Sequence, residues 1–300
     1  MKRTARITGV ALLFIVFLAD APHVRDAVSD ALRLCTVSVI PALFPFLVVT
    51  RLLISLGFAA CAAPWLSPLM TGLYALPGTA GGALLLGLLG GYPIGARAAA
   101  DLFRLGLLTK NETERLLTFC NNANPAFFIS VLGAGVFRNV RWGVWLMMIH
   151  IASALLTGLV FRARTVPRDA PPDVSFSDDP PAFFPAFVDA VGDAALTMLK
   201  ICAFVTFFAV LVRPLKVWNH PAAVPLMGLL ELFSLTPLLT PDASGFLLAA
   251  VCTGWGGLSA LGQTAAVLEH SGLSMRPCVA GKAVQGILSG MLAALAVRFL

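Results

Sequence analysis

The chain has 300 residues, of which 58% are hydrophobic and only 12% charged, with a mean hydropathy of +0.88. Soluble domains use roughly 25% charged residues, so this composition excludes a soluble globular domain and reads as a polytopic membrane protein. The formal charge of +6, from 21 basic and 15 acidic residues, indicates no nucleic-acid partner: the cations flank apolar runs (Lys2, Arg3 and Arg6; Arg138 and Arg141; Arg162, Arg164 and Arg168), where they act as topology signals and headgroup contacts.

A bilayer core takes about 20 apolar residues per spanning helix. Apolar runs lie near 7–19, 31–57, 79–108, 114–137, 142–162, 183–213, 222–240, 244–270 and 278–299. The first, set between Lys2-Arg3 and Ala19-Asp20-Ala21, has the parts of a secretory signal. Pro22 directly after the A-x-A triplet disfavours cleavage, and a first transmembrane helix with its N-terminus inside is the expectation. Several other runs are too long, too short or too broken for one span. Seven to nine membrane-embedded segments are therefore expected, some of them half-helices or hairpins.

Within the third run the chain reads GGYPIGARAAADLF over 90–103, poor material for a buried helix interior. A break at Gly90–Gly95 followed by a helix from about Ala96 leaves that helix's first N–H groups aimed into the gap, a local anion site that Arg97 strengthens if it faces the same way. Arg97 has two other readings, a headgroup contact and a pair with Asp101 four residues on.

Further along, Asn121, Asn122 and Asn124 precede Pro125 inside an apolar run. Three amides are expensive to bury unpaired, so they are expected to line a cavity or to cap a helix broken at Pro125. The stretch Arg162–Pro185, rich in proline, aspartate and arginine, is the one clearly polar segment. It suggests a first membrane half over 1–163, a linker over 164–182 and a second half over 183–300.

The second half repeats the device of the first. Gly256-Gly-Leu-Ser259 stands where Gly90-Gly-Tyr-Pro93 does, Gly90 to Gly106 and Gly256 to Gly272 are both sixteen residues apart, and Arg97 corresponds to Gln263. Thr109-Lys-Asn-Glu112 is a capping-box signature, and Ser274 is placed to cap the helix that carries Pro277. The expected fold is thus all-α, with two homologous halves that each contain a broken-helix or re-entrant hairpin element. Interrupted segments at matching positions of two repeats point to a transporter site. The candidate binding residues are Gly91, Pro93, Gly95, Arg97, Asn121 and Asn124 in the first half and Gly257, Ser259, Gln263 and Thr264 in the second.

The remaining membrane-depth charges are Lys200, Glu231, Glu269 and Lys282; Glu231 and Glu269 are candidates for ion coupling, and each charge also reads as a helix-end residue. Six isolated cysteines and four isolated histidines give no ligand spacing, so no metal and no cofactor is expected. Neither a phosphate-binding glycine loop nor a hydrolase or metalloprotease motif occurs, and an enzyme is not expected.

Taken together, Pro41-Ala-Leu-Phe-Pro-Phe46, Gly91-Tyr-Pro-Ile-Gly-Ala-Arg97, Asn121-Asn-Ala-Asn-Pro125 with Phe127-Phe-Ile129, and Gly256-Gly-Leu-Ser259 resemble sporulation-type integral membrane proteins of the nucleoside-recognition (Gate) domain group. The resemblance implies a multi-pass protein of the bacterial cell membrane, and for the sporulation branch a forespore membrane and movement of dipicolinate, a small aromatic dicarboxylate. A nucleoside transporter with ion coupling and a non-transporting assembly factor of sporulation are the rival readings. The expected partners are a small-molecule solute and the lipid bilayer, with room for a homo-oligomer.

Leu261-Gly-Gln-Thr-Ala-Ala-Val267 is similar to the G-Q-T-E-A-P hairpin of concentrative nucleoside transporters, with Ala265 where they carry glutamate. That departure is compatible with an anionic cargo. The family's usual Pro-Ser-Gly turn is Pro93-Ile94-Gly95 here, so any contact that its serine hydroxyl makes to cargo is missing.

Overall fold

The computed structural model describes residues 2–162, 182–218 and 220–299; of the expected 164–182 linker only Ala182, the residue before a long helix, is among them. Among the described residues there is no strand. In chain order the helices are α1 (Lys2–Ala19), α2 (Ala21–Leu34), α3 (Ile40–Ser55), α4 (Phe58–Tyr74), α5 (Ala80–Gly90), α6 (Ile94–Arg104), α7 (Lys110–Leu116), α8 (Val140–Val160), α9 (Phe183–Val217), α10 (Ala223–Leu230), α11 (Leu232–Leu235), α12 (Ala243–Trp255), α13 (Gly257–Leu268) and α14 (Arg276–Ala296). Two wider π-helical stretches, Cys35–Val39 and Phe127–Val136, join α2 to α3 and precede α8.

Among the described residues, five helices are long and apolar enough to cross a membrane: Ala21–Ser55, Val140–Val160, Phe183–Lys216, Ala243–Leu268 and Arg276–Ala296. Around them stand shorter apolar helices, Ile7–Ala19, Ala80–Gly90 and Phe127–Val136. The molecule is a multi-pass, all-helical membrane protein. Its outer faces fit that solvent: Ile7, Val10, Phe14 and Leu18 of α1 and Leu196 and Leu199 of α9 are all more than half exposed, as lipid-facing side chains are.

Local chemistry sets the breaks. At Asp20 the first run turns into α2, whose Pro22 sits in the opening turn, and Asp20 is held by Arg213 of α9 at 3.0 Å. Pro41 has no N–H and crowds the carbonyl one turn back; the Cys35–Val39 π-turns lie immediately before it. The capping box forms as the spacing predicts: Glu112 N–H donates to Thr109 Oγ1 at 3.3 Å, and Thr109 N–H donates to Glu112 Oε2 at 2.7 Å. The Ser274 hydroxyl accepts from Arg276 N–H at 3.2 Å in the opening turn of α14.

Small residues decide how close the helices come. Gly254 of α12 meets Gly286 and Ser289 of α14, Gly133 meets Gly143, and Gly87 of α5 and Gly95 of α6 both lie against the carbonyl of Cys120. A methyl group at Gly254, Gly143, Gly87 or Gly95 would overlap its neighbour, and one at Gly133 or Gly286 would be a tight fit. The consequence is a tight knot of backbone in the middle of the molecule, and the interrupted segments lie in it.

Candidate functional site

Four helix interruptions converge on one cavity of about 70 Å³. The first is the Gly91–Pro93 turn between α5 and α6, with Gly91 at φ +79° and a cis Tyr92–Pro93 peptide. The second is Gly256, at φ +87°, where α12 passes into α13. The third is the unwound Asn121–Asn124 segment, and the fourth is Glu231, extended between α10 and α11. They touch one another directly. Gly91 packs on Asn124, Gly256 on the Tyr92 ring, and Gly257 beside the Leu230 carbonyl, so a side chain at any of the three would meet the neighbouring break.

Unwound backbone at this depth needs partners, and local side chains supply them. Asn124 Oδ1 accepts from Ala126 N–H at 2.6 Å, capping the helix that Pro125 begins. Glu231, 1% exposed, accepts through one oxygen from Phe233 N–H at 2.9 Å and through the other from Ser234 N–H. Trp255 Nε1 donates to the Leu229 carbonyl at 2.9 Å, closing the end of α10. The expected positive pole is tempered, because three of the four breaks also bring a helix C-terminus, those of α5, α10 and α12, to the cavity.

The walls combine rings with a few polar groups. Tyr92, Phe127 and Phe233 supply aromatic surface; Asn124, Glu231, Ser259 and Gln263 supply amide, carboxylate and hydroxyl. Two polar atoms here are buried without a partner, Asn124 Nδ2 and the Tyr92 hydroxyl. Such orphans are uncommon in folded proteins and mark places where a ligand or water completes the bonding.

Behind Tyr92 lies a buried polar network. Lys282 of α14 is fully buried; its ammonium donates to Gln285 Oε1 at 2.7 Å, reaches Asn122 Oδ1 at 3.4 Å and stands 5.0 Å from the centre of the Tyr92 ring. Gln285 donates to Asn122 Oδ1 and to the His150 carbonyl, at 3.1 and 3.3 Å, and His150 Nε2 accepts from Ala123 N–H at 3.2 Å. The unwound segment is therefore pinned from both sides by α8 and α14.

The predicted residues distribute as follows. Gly91, Asn124, Ser259 and Gln263 line the central cavity. Asn121 and Thr264 stand behind it, bonded to each other at 2.7 Å, and Gly95 and Gly257 serve close backbone packing. Pro93 and Arg97 line a separate side pocket of about 230 Å³ together with Arg51, Thr197, Lys200 and Gln263. The pair expected as one reading of Arg97 is not formed: Asp101 pairs with Arg104 at 3.0 Å. Glu269 is exposed beside His270, which leaves Glu231 as the membrane-depth carboxylate in the cavity.

Sequence reasoning underweighted Glu231, Lys282 and Tyr92. The signal available was an acid flanked by Leu229-Leu230 and Leu232-Phe233, and a lysine among small residues in Ala280-Gly-Lys-Ala283. Charges embedded in apolar segments face the bundle interior far more often than lipid.

The family described as Gate, nucleoside recognition, matches residues 36–140, a stretch that contains the Pro41–Phe46, Gly91–Arg97 and Asn121–Pro125 motifs and half of the cavity wall. The chain is 26% identical over 295 residues to the sporulation integral membrane protein YlbJ of Bacillus subtilis (strain 168), an alignment covering 84% of this chain and 72% of that protein. The resemblance read from the motifs is thus borne out. No solved structure matches.

Proposed function

We propose that this chain is a permease for a small, planar, polar organic solute, and that its cargo is an aromatic carboxylate of the dipicolinate type. The observation that carries the reading is the meeting of four helix interruptions around one cavity at membrane depth, with two buried polar atoms left unpartnered in its wall. A scaffold needs no such expense: each orphaned group costs roughly 1–3 kcal/mol. Aromatic rings on the walls suit a flat solute, and the orphaned amide and hydroxyl donors suit its oxygens. The proposed process is permeation, with no bond of the solute made or broken.

The two halves support an alternating arrangement. Gly91 and Gly257, and Gly106 and Gly272, are each 166 residues apart and all four have positive φ, between +73° and +83°. The order helix, break, helix, turn, helix recurs as α5–α6–α7 and α12–α13–α14. We read these as copies of one ancestral unit, with the solute between them.

A second reading, a nucleoside carrier, is favoured by Glu231, because a carboxylate in the cavity accepts from sugar hydroxyls or base N–H groups and repels an anion. Purified protein in liposomes decides between them. Uptake of labelled dipicolinate with no uptake of nucleosides supports the primary reading, and the reverse supports the second. No flux of either, with or without a proton or sodium gradient, removes the permease and leaves an assembly factor.

A further inference from the structure

We propose that the side pocket is an anion-binding vestibule in series with the central cavity, built to hold the carboxylate of a water-soluble organic anion before it passes Gln263. Three cations from three separate elements converge on it: Arg51 of α3, Arg97 of α6 and Lys200 of α9. One carboxylate opposes them, Asp193, 3.9 Å from Arg51. On α9, Asp193, Thr197, Lys200 and Phe204 fall at i, i+4, i+7 and i+11, a single helical stripe. Asp193 and Lys200 are separated by seven residues, or about 10 Å along the axis, and Thr197, Lys200 and Phe204 of this stripe line the pocket.

Three features separate this pocket from ordinary headgroup contacts. Arg51 is not extended to the surface: its side chain is 15% exposed, one guanidinium nitrogen donates to Thr197 Oγ1 at 3.0 Å, and its Nε is buried with no acceptor at all. A guanidinium held in place with an unused N–H is a fork waiting for an oxyanion. Next, Lys200 lies seventeen residues into the 35-residue α9, well away from either helix end where lysines reach the interface. Last, Gln263 belongs to the walls of both the pocket and the central cavity, so the two spaces adjoin at this residue. Together these give a route on which an anion is first attracted by full charges and then handed to neutral donors, which bind weakly enough to release it.

The inference rests on the permease reading for the direction of travel but not for binding itself. The test uses the full-length protein in nanodiscs of purely zwitterionic lipid, with pyridine-2,6-dicarboxylate and its uncharged diamide as probes. The dicarboxylate is expected to bind and the diamide not, with affinity falling about tenfold in Lys200→Gln and in Arg51→Gln, as loss of one charge-assisted bond implies. Lys200 is exposed, so its variant keeps the packing even if Arg51→Gln does not. Unchanged dicarboxylate affinity in Lys200→Gln and Arg51→Gln overturns the vestibule. So does absence of dicarboxylate binding in zwitterionic discs combined with charge-dependent retention of anionic lipid, which makes the pocket a lipid site. If the dicarboxylate binds through these residues while liposomes show no flux, the vestibule stands and the permease reading alone is lost.

Discussion

Asn121 donates its side-chain amide to the hydroxyl of Thr264 at 2.7 Å, although the two are 143 residues apart and both fully buried. The bond ties the unwound Asn121–Asn124 segment to α13. The Thr264 hydroxyl donates to the Ala260 carbonyl at 2.8 Å, so its oxygen lone pair is free to accept from the amide. This contact lies next to Ser259, Ala260 and Gln263 of the cavity wall and links the Asn121–Asn124 segment to their helix.

Thr264→Val keeps the shape and removes the acceptor. Asn121 already has an unpartnered Oδ1, and losing Thr264 leaves its amide N–H groups unpaired as well. The variant is expected to lose about 1 kcal/mol of stability, the usual size for one interhelical bond with an orphan left behind. Thr264→Ser should recover most of it. Thermal unfolding in detergent measures both, and a Val variant as stable as the parent would show that the bond is not formed.

Gly95 and Gly106 separate packing from backbone freedom. A Cβ on Gly95 would overlap the Cys120 carbonyl oxygen, whereas Gly106 faces open space and needs only its φ of +73°. Gly106→Ala is expected to cost about 1–2 kcal/mol of left-handed strain and to remain folded. Gly95→Ala must move the unwound segment and is expected to fail to accumulate as a monodisperse protein in size-exclusion chromatography.

How far these features could be read from residues alone depended on what makes each break. The Gly90–Pro93 and Gly256 interruptions announce themselves because glycine and proline end helices by their own covalent structure. Glu231 interrupts Leu229-Leu230-Glu-Leu-Phe233 with neither; the helix stops there because the carboxylate captures the N–H groups of Phe233 and Ser234, which composition does not display. Arg97 was legible as a charge at depth, but not the side of α6 it takes: one residue rotates the direction by about 100°, enough to move it from the cavity to the side pocket. Lys200 was legible as a membrane-depth charge in the apolar run 183–213, but not the stripe it shares with Asp193, Thr197 and Phe204 on α9.

Glu231 has two jobs that substitution separates. Gln at this position keeps one acceptor oxygen for the Phe233 and Ser234 N–H groups and removes the charge from the cavity. Under the carboxylate-cargo reading, Glu231→Gln is expected to lower the KM for dipicolinate several-fold, because like charges no longer oppose each other in a low-dielectric site. Glu231→Ala uncaps α11 altogether and is expected to reduce thermal stability as well. An unchanged KM in the Gln variant would place Glu231 outside the solute path.

Asp242 gives a pH signature outside the membrane span. It accepts from the Ser244 hydroxyl, Gly245 N–H, the Thr240 hydroxyl and Ser244 N–H at the start of α12, and these donors, the Ser244 hydroxyl first, hold its carboxyl at about 2, below the ordinary 3.8. A lowered folded value means the capping contribution is present in full above the unfolded value and is lost as pH falls through about 2. Asp242→Asn retains an acceptor oxygen that does not titrate. Between pH 5 and pH 2 the melting temperature of the parent is expected to fall more than that of the variant; parallel curves would mean the cap does not contribute.

Lys282 is the charge most in need of a reason. It is fully buried, and among the described residues it has no carboxylate partner, only Gln285, Asn122 and the face of Tyr92. Burying an ammonium against neutral partners is costly, and replacing such a group with an apolar one of similar length is often neutral or stabilising. Stability alone therefore does not account for it. Its field acts on the cavity through Tyr92, whose ring forms part of the wall, and a positive charge behind that wall favours an anion in front of it. Lys282→Met is expected to leave the fold intact, with a melting temperature equal to or above the parent's, and to reduce dipicolinate flux at least tenfold while sparing flux of the uncharged diamide if any is measurable. A fully active Met variant would make Lys282 a packing residue; a variant that unfolds would make it a structural one, and in either case the cavity would have to select its solute through Asn124, Ser259 and Gln263 alone.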